Sequence, residues 1–116
     1  MTDDEMIKCA EPSRQIERLC SIMHRLRAPG GCPWDAEQTH ESLVSNLIEE
    51  TDETVAAIRA NDEENLQEEL GDLLLQVVFH AELAKEERRF DLNDIARSIS
   101  DKLVRRHPHV YGDSNV

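Results

Sequence analysis

Four carboxylates carry the chemistry open to this sequence, in the stretches Asn46-Leu47-Ile48-Glu49-Glu50-Thr51-Asp52-Glu53 and Glu68-Glu69-Leu70-Gly71-Asp72. On a helix, residues three or four apart share a face, so Glu50 with Glu53 and Glu69 with Asp72 each aim two acids the same way. Behind Asp72 comes Leu73-Leu74-Leu75-Gln76-Val77-Val78-Phe79, apolar on nearly every side, which reads as a helix buried in a core or an oligomer interface. A desolvated, unpaired carboxylate at the head of such a helix is penalised or stays protonated. Something positive has to sit beside it. Arg59 is the one Lys or Arg between Glu41 and His80, so a divalent cation is the leading candidate. Hard ions such as Mg2+ or Mn2+ take oxygen ligands and commonly hold a substrate phosphate as well.

Acids on a helix are more often a solvated face, and Glu63, Glu64, Glu68, Glu86 and Glu87 read that way. Two forks on adjacent helices, one running into an apolar stretch, favour the ion. Trp34, the single tryptophan, reads as a loop anchor or as a flat surface for a nucleobase. Lys102, Arg105 and Arg106 form a basic cluster late in the chain. They either complement a helix C-terminus or, through Lys102 and Arg106, reach phosphate oxygens beside the metal. His80, His107 and His109 read as packed or hydrogen-bonded side chains rather than ligands. Zinc through Cys20 and His24 leaves most of its ligands unaccounted for.

The elements that must position these groups are all helical. After a polar, frayed stretch at residues 1–11, Pro12-Ser13 starts a helix with Ile16, Leu19, Cys20, Met23 and Leu26 on one face, and Ala28-Pro29-Gly30-Gly31 stops it. Asp35 is the expected cap of the next helix, with Gln38 at the reciprocal position and Thr39 as the competing cap. That helix should run from about residue 38 to about residue 60, burying Val44, Leu47, Ile48, Thr51, Val55 and Ile58. Asp62 then caps a third helix reaching residues 86–87, and Asp91 a fourth with Leu92, Ile95, Ile99, Leu103 and Val104 inside. The short link at Asn61 makes the second and third helices antiparallel neighbours, so the two forks face each other at one level. Gly71, inside a helix, suggests the close approach of another backbone.

The whole reads as an all-α bundle of four to five helices, one domain over 12–112 with flexible ends at 1–11 and 113–116, and the apolar breadth of the third helix with the small size of the chain argues that subunits share an interface. With 25 acidic against 13 basic residues the net charge is -12, which disfavours nucleic acid and anionic membrane as partners. Cys9, Cys20 and Cys32 are odd in number and unpaired in spacing, no signal peptide is evident, and no apolar run has a membrane-spanning length, so a cytoplasmic protein is expected.

In order and spacing, Gly31-Cys32-Pro33-Trp34-Asp35, Gln38-Thr39, Glu49-Glu50-x-x-Glu53, Glu69-Leu70-Gly71-Asp72 and Arg105-Arg106-His107-Pro108-His109-Val110 together resemble the MazG family of nucleoside triphosphate pyrophosphohydrolases. The resemblance implies an all-α, dimeric or tetrameric enzyme that uses Mg2+ to split a nucleoside triphosphate into the monophosphate and pyrophosphate, a nucleotide-pool housekeeping role. It implies Glu50, Glu53, Glu69 and Asp72 as metal ligands and Glu49 as a supporting group or base for the attacking water. It favours Lys102 and Arg106 as phosphate contacts. Many relatives carry two copies of the domain, and this chain is similar to the N-terminal copy, the weaker catalyst in some members. The rival reading is therefore a weakly active or non-catalytic module that binds nucleotide or protein, although the intact acid motif favours activity.

Overall fold

The computed structural model describes residues 1–112, and the expectation for 113–116 lies outside them. Among the described residues seven helices form: α1 (Asp3–Lys8), α2 (Gln15–Arg27), α3 (Pro33–Glu37), α4 (Val44–Arg59), α5 (Glu63–Glu86), α6 (Leu92–Arg106) and α7 (Pro108–Tyr111), with single 3-10 turns at Pro12–Arg14 and Glu41–Leu43. The four long ones are those the periodicity predicts. No strand appears among the described residues.

Capping explains where the helices begin. Asp62 accepts a hydrogen bond from the Asn65 amide at 3.2 Å, and Asp91 and Asp94 cap each other's amides at 3.0 Å. Asn61 takes a left-handed φ of 55° to close the link between α4 and α5. The expected Asp35 cap does not form: Asp35 lies inside α3, and Gln38 returns its side-chain amide to the Trp34 carbonyl at 3.0 Å. Thr39 accepts from the Ser42 amide at 3.1 Å at the 3-10 turn Glu41–Leu43, and α4 starts after that turn at Val44, with no side-chain cap of its own, rather than near residue 38. The stretch read as frayed at residues 1–11 contains α1, held by a Thr2–Glu5 capping box, a buried Met6 and the Arg18 side chain, which donates to the Met6 carbonyl at 2.7 Å.

Met23, Leu43, Val78, Phe79 and Leu83 form the core, with Leu19, Leu26, Leu75 and Leu92 packed on it. Each large buried side chain contributes roughly 1.5–3 kcal/mol. The core thus lies toward the C-terminal half of α5. At the other end of the α4–α5 hairpin the helices meet through small groups: Ala57 and Thr54 are buried, and the Thr54 hydroxyl bonds the Glu50 carbonyl at 2.7 Å while lying 3.5 Å from that of Glu69. The stripe expected to be inside, Val44, Leu47, Ile48, Thr51, Val55 and Ile58, is exposed in the single chain. So are Ile99, Leu103 and Val104 of α6, whereas Leu92 and Ile95 are half-buried. Periodicity marks which face avoids water, not which chain covers it.

Gly31 is where a close approach is real. A Cβ there would lie 2.4 Å from the carbonyl oxygens of Arg25 and Leu26, while at Gly71 nothing stands within 4 Å, contrary to expectation within this chain. The tight turn at Gly31 folds α3 back on α2, and Arg27 latches it. Arg27 donates to the carbonyls of Asp35 at 2.5 Å and Gln38 at 3.3 Å, pairs with Glu86 at 2.6 Å and covers the Phe79 ring. The segment leading into α4 is tied down by His40, which stacks on His80 with Nδ1 atoms 2.6 Å apart and has Nε2 2.5 Å from Arg89 Nη2.

Candidate active site

The acid forks meet across the α4–α5 seam. Asp62 and the left-handed Asn61 set the bend, and the small Ala57 and Thr54 let the two backbones come close. Glu50 from α4 and Glu69 and Asp72 from α5 each present a carboxylate oxygen within 4.8 Å of the others. Glu53 is outside that triad and exposed, yet its carboxylate is close enough to help raise the Glu69 pKa. Glu49 is exposed beside Glu50.

Electrostatics there are unfavourable to charge. Glu50 and Glu69 are half-buried, and Oε2 of each is occluded without a hydrogen-bond partner. Burial, followed by Glu53 and Asp72, raises the Glu50 pKa. Burial first, then Glu53 and Glu50, pushes Glu69 up to about 7. Burial and crowding thus favour protonation of Glu69 up to about neutral pH. Among the described residues no Lys, Arg or His forms an ion pair with any of the five acids. Convergent carboxylates, with one buried and unpaired oxygen on each of Glu50 and Glu69, form a donor set suited to a hard divalent cation.

The other predicted positions are not brought to this cluster by any hydrogen bond or ion pair. Trp34 opens α3 and is 54% exposed, so it does not cap the core. Lys102 and Arg106 lie on the exposed end of α6. His80 is a stacked, hydrogen-bonded side chain, as its sequence context indicates. Arg27, which fixes the segment after Trp34, is invisible in the sequence because Glu86 is 59 residues away. Gln76, buried one turn after Asp72 with an unpaired Oε1, also gives no sequence signal amid its apolar neighbours.

A profile of the MazG nucleotide pyrophosphohydrolase domain matches residues 38–111, a stretch containing both forks. The chain belongs to the MazG family. An Escherichia coli (strain K12) protein named nucleoside triphosphate pyrophosphohydrolase is 58% identical over 103 residues, 88% of this chain and 39% of that protein. A Thermotoga maritima protein named nucleoside triphosphate pyrophosphohydrolase/pyrophosphatase MazG is 55% identical over 99 residues, 85% of this chain and 39% of its own length. The chain thus spans about two fifths of the length of these curated relatives. The crystal structure of a mazG-related protein from Thermotoga maritima shares the fold at TM-score 0.69 and 30% identity, over 86% of each chain. Within this MazG domain Trp34 precedes the matched stretch, whereas Lys102 and Arg106 fall inside it. No helix is long and apolar enough to cross a membrane among the described residues.

Proposed function

We propose that this MazG domain hydrolyses a nucleoside triphosphate to the monophosphate and pyrophosphate with Mg2+, or alternatively Mn2+, as cofactor. The observation that carries the reading is the triad of Glu50, Glu69 and Asp72, convergent, without a basic partner, and with two buried oxygens unpaired. Relatives named for this activity over most of the chain support it.

When bound, the divalent ion would lower the pKa of the attacking water and neutralise charge on the leaving group. Glu50, Glu69 and Asp72 would hold it, with the Glu53 carboxylate beside Glu69 at the edge of the set. Glu49, on the solvent side of α4, orients the water and accepts its proton. The water oxygen bonds to the α-phosphorus as the bond to the bridging oxygen breaks, and pyrophosphate departs. Trp34 offers its exposed face to the base. Lys102 and Arg106 bind phosphate oxygens. The uncovered apolar faces of α4, α5 and α6 support a homodimer or homotetramer. Three free cysteines fit a reducing compartment, the cytoplasm.

The test is to incubate the chain with a panel of nucleoside triphosphates and Mg2+ and to measure pyrophosphate. Release by the wild type and its loss in Asp72→Asn supports hydrolysis. Nucleotide binding without release assigns a non-catalytic module instead. The same panel reports base and sugar preference and substrate range relevant to nucleotide-pool housekeeping.

A further inference from the structure

We propose that Gln76 selects the substrate by its sugar: the carboxamide oxygen accepts a hydrogen bond from a sugar hydroxyl of the nucleoside triphosphate held at the acid cluster. The inference rests on the hydrolytic reading above and adds which residue reads the nucleoside.

Unmet hydrogen bonds are the first ground. A folded chain keeps few buried polar atoms without partners, and each one lowers stability. Among the described residues the occluded side-chain atoms in this condition are Oε2 of Glu50, Oε2 of Glu69, Oε1 of Gln76 and Nε2 of His80. They are not scattered. Glu69, Asp72, Gln76 and His80 follow one another on α5 at steps of three, four and four residues, which keeps them on one face. Glu50 meets that face from α4. Gln76 is only 6% exposed and stands between Leu75 and Val77, where an apolar side chain would serve the core without an unmet acceptor. A polar group held there at the expense of stability points to function.

The order of the unmet groups is the second ground. From Asp72, one helical turn of ~6 Å along α5 leads to Gln76 and a second leads to His80. Gln76 offers an acceptor. His80 offers a donor, because Arg89 donates to His40 Nε2 and His40 to His80 Nδ1, which leaves the His80 hydrogen on Nε2. The oxygens of a triphosphate only accept, so they cannot serve Gln76 Oε1. The nucleoside can. Its sugar hydroxyls, next after the phosphates, donate, and the base beyond them carries ring nitrogens or carbonyls that accept. Acids for metal and phosphate, an acceptor for the sugar and a donor for the base thus repeat the order of the ligand's own parts. Asp72 is exposed, and the Gln76 side chain turns about three torsions, so its amide reaches the open end of this face.

The experiment removes the hydroxyls one at a time. A ribonucleoside triphosphate, its 2′-deoxy form and its 2′,3′-dideoxy form are compared on the wild type and on Gln76→Met at saturating Mg2+, by pyrophosphate release and by calorimetric affinity. The wild type should lose about tenfold in kcat/KM at one of the two removals, mostly through KM. Gln76→Met should treat the three alike and keep the wild-type Mg2+ dependence. In chelator without nucleotide it should melt above the wild type, since the unmet acceptor is gone. Equal wild-type values for all three nucleotides overturn the proposal, and so does a variant that keeps the wild-type preference. A wild type that binds nucleotide and releases no pyrophosphate sinks the parent reading instead, and the affinities then decide the role of Gln76. Should Gln76→Met fail to fold, Gln76→Leu takes its place.

Discussion

Glu50 and Glu69 hold carboxylate oxygens within 4.8 Å of each other across the α4–α5 seam, and Oε2 of each is buried and unpaired. Folding raises Glu69 from 4.5 to about 7, so between those pH values the folded chain keeps a proton that the unfolded chain has lost. The stabilisation is complete below the lower value and disappears as pH rises through the upper one. His80, whose pKa is lowered by burial and by His40, acts in the opposite sense, its contribution being lost as pH falls. The Glu69 part is therefore read by difference: in chelator, thermal melts of the wild type minus those of Glu69→Gln should fall from pH 5 to pH 8. Added Mg2+ at pH 8 should raise the wild-type melting temperature and leave the variant's nearly unchanged.

Within the acid group the geometry predicts a ranking. Glu50, Glu69 and Asp72 converge, whereas Glu53 and Glu49 stand outside the triad. Asp72→Asn should lose more than the ~10- to 100-fold typical of groups acting through a ligand, and Glu53→Gln should fall within that range. Glu49→Gln should retain metal binding and lose turnover. Pyrophosphate assays across Mg2+ concentration, paired with calorimetric metal titration, separate these outcomes.

Arg27 satisfies two backbone carbonyls, pairs with Glu86 and is almost fully covered, its side chain only 9% exposed. Arg27→Ala should cost about 2–4 kcal/mol in urea unfolding. Arg27→Lys should recover less than half of that, because an ammonium cannot reproduce the forked contacts. The emission of Trp34 should change in both variants.

The two informative glycines should respond with opposite signs. Gly31→Ala drives a methyl against two carbonyl oxygens at 2.4 Å and should destabilise by about 2 kcal/mol or more. Gly71→Ala meets open space within its own chain and should gain about 1 kcal/mol of helix propensity. A loss at Gly71 in the same melts would mean that a neighbouring copy approaches there.

The hairpin was readable because its signals are local. Asp62 and Asp91 announce helix starts in the letters themselves, and the spacing of Glu50, Glu53, Glu69 and Asp72 sets opposed acids once a short link makes the helices antiparallel. What stayed hidden depends on partners distant in the chain. Leu47 and Ile48 read as interior although Thr54 and Ala57 are what α4 buries, since hydropathy identifies a dry face without naming its neighbour. Arg27 and Gly31 matter through contacts that no periodicity encodes. Trp34, placed outside the core, shows how a lone aromatic in a loop gives no direction of its own.

The His40–His80 stack has a built-in polarity. Arg89 can only give a hydrogen, so His40 takes it at Nε2 and passes its own Nδ1 hydrogen to His80, leaving both rings neutral and each in one defined tautomer. The remaining hydrogen, on His80 Nε2, ends in the interior with no acceptor. A proton added at His80 Nδ1, which burial and His40 both disfavour, would break this one-way chain, and the segment that leads into the acid-bearing α4 would lose its mooring.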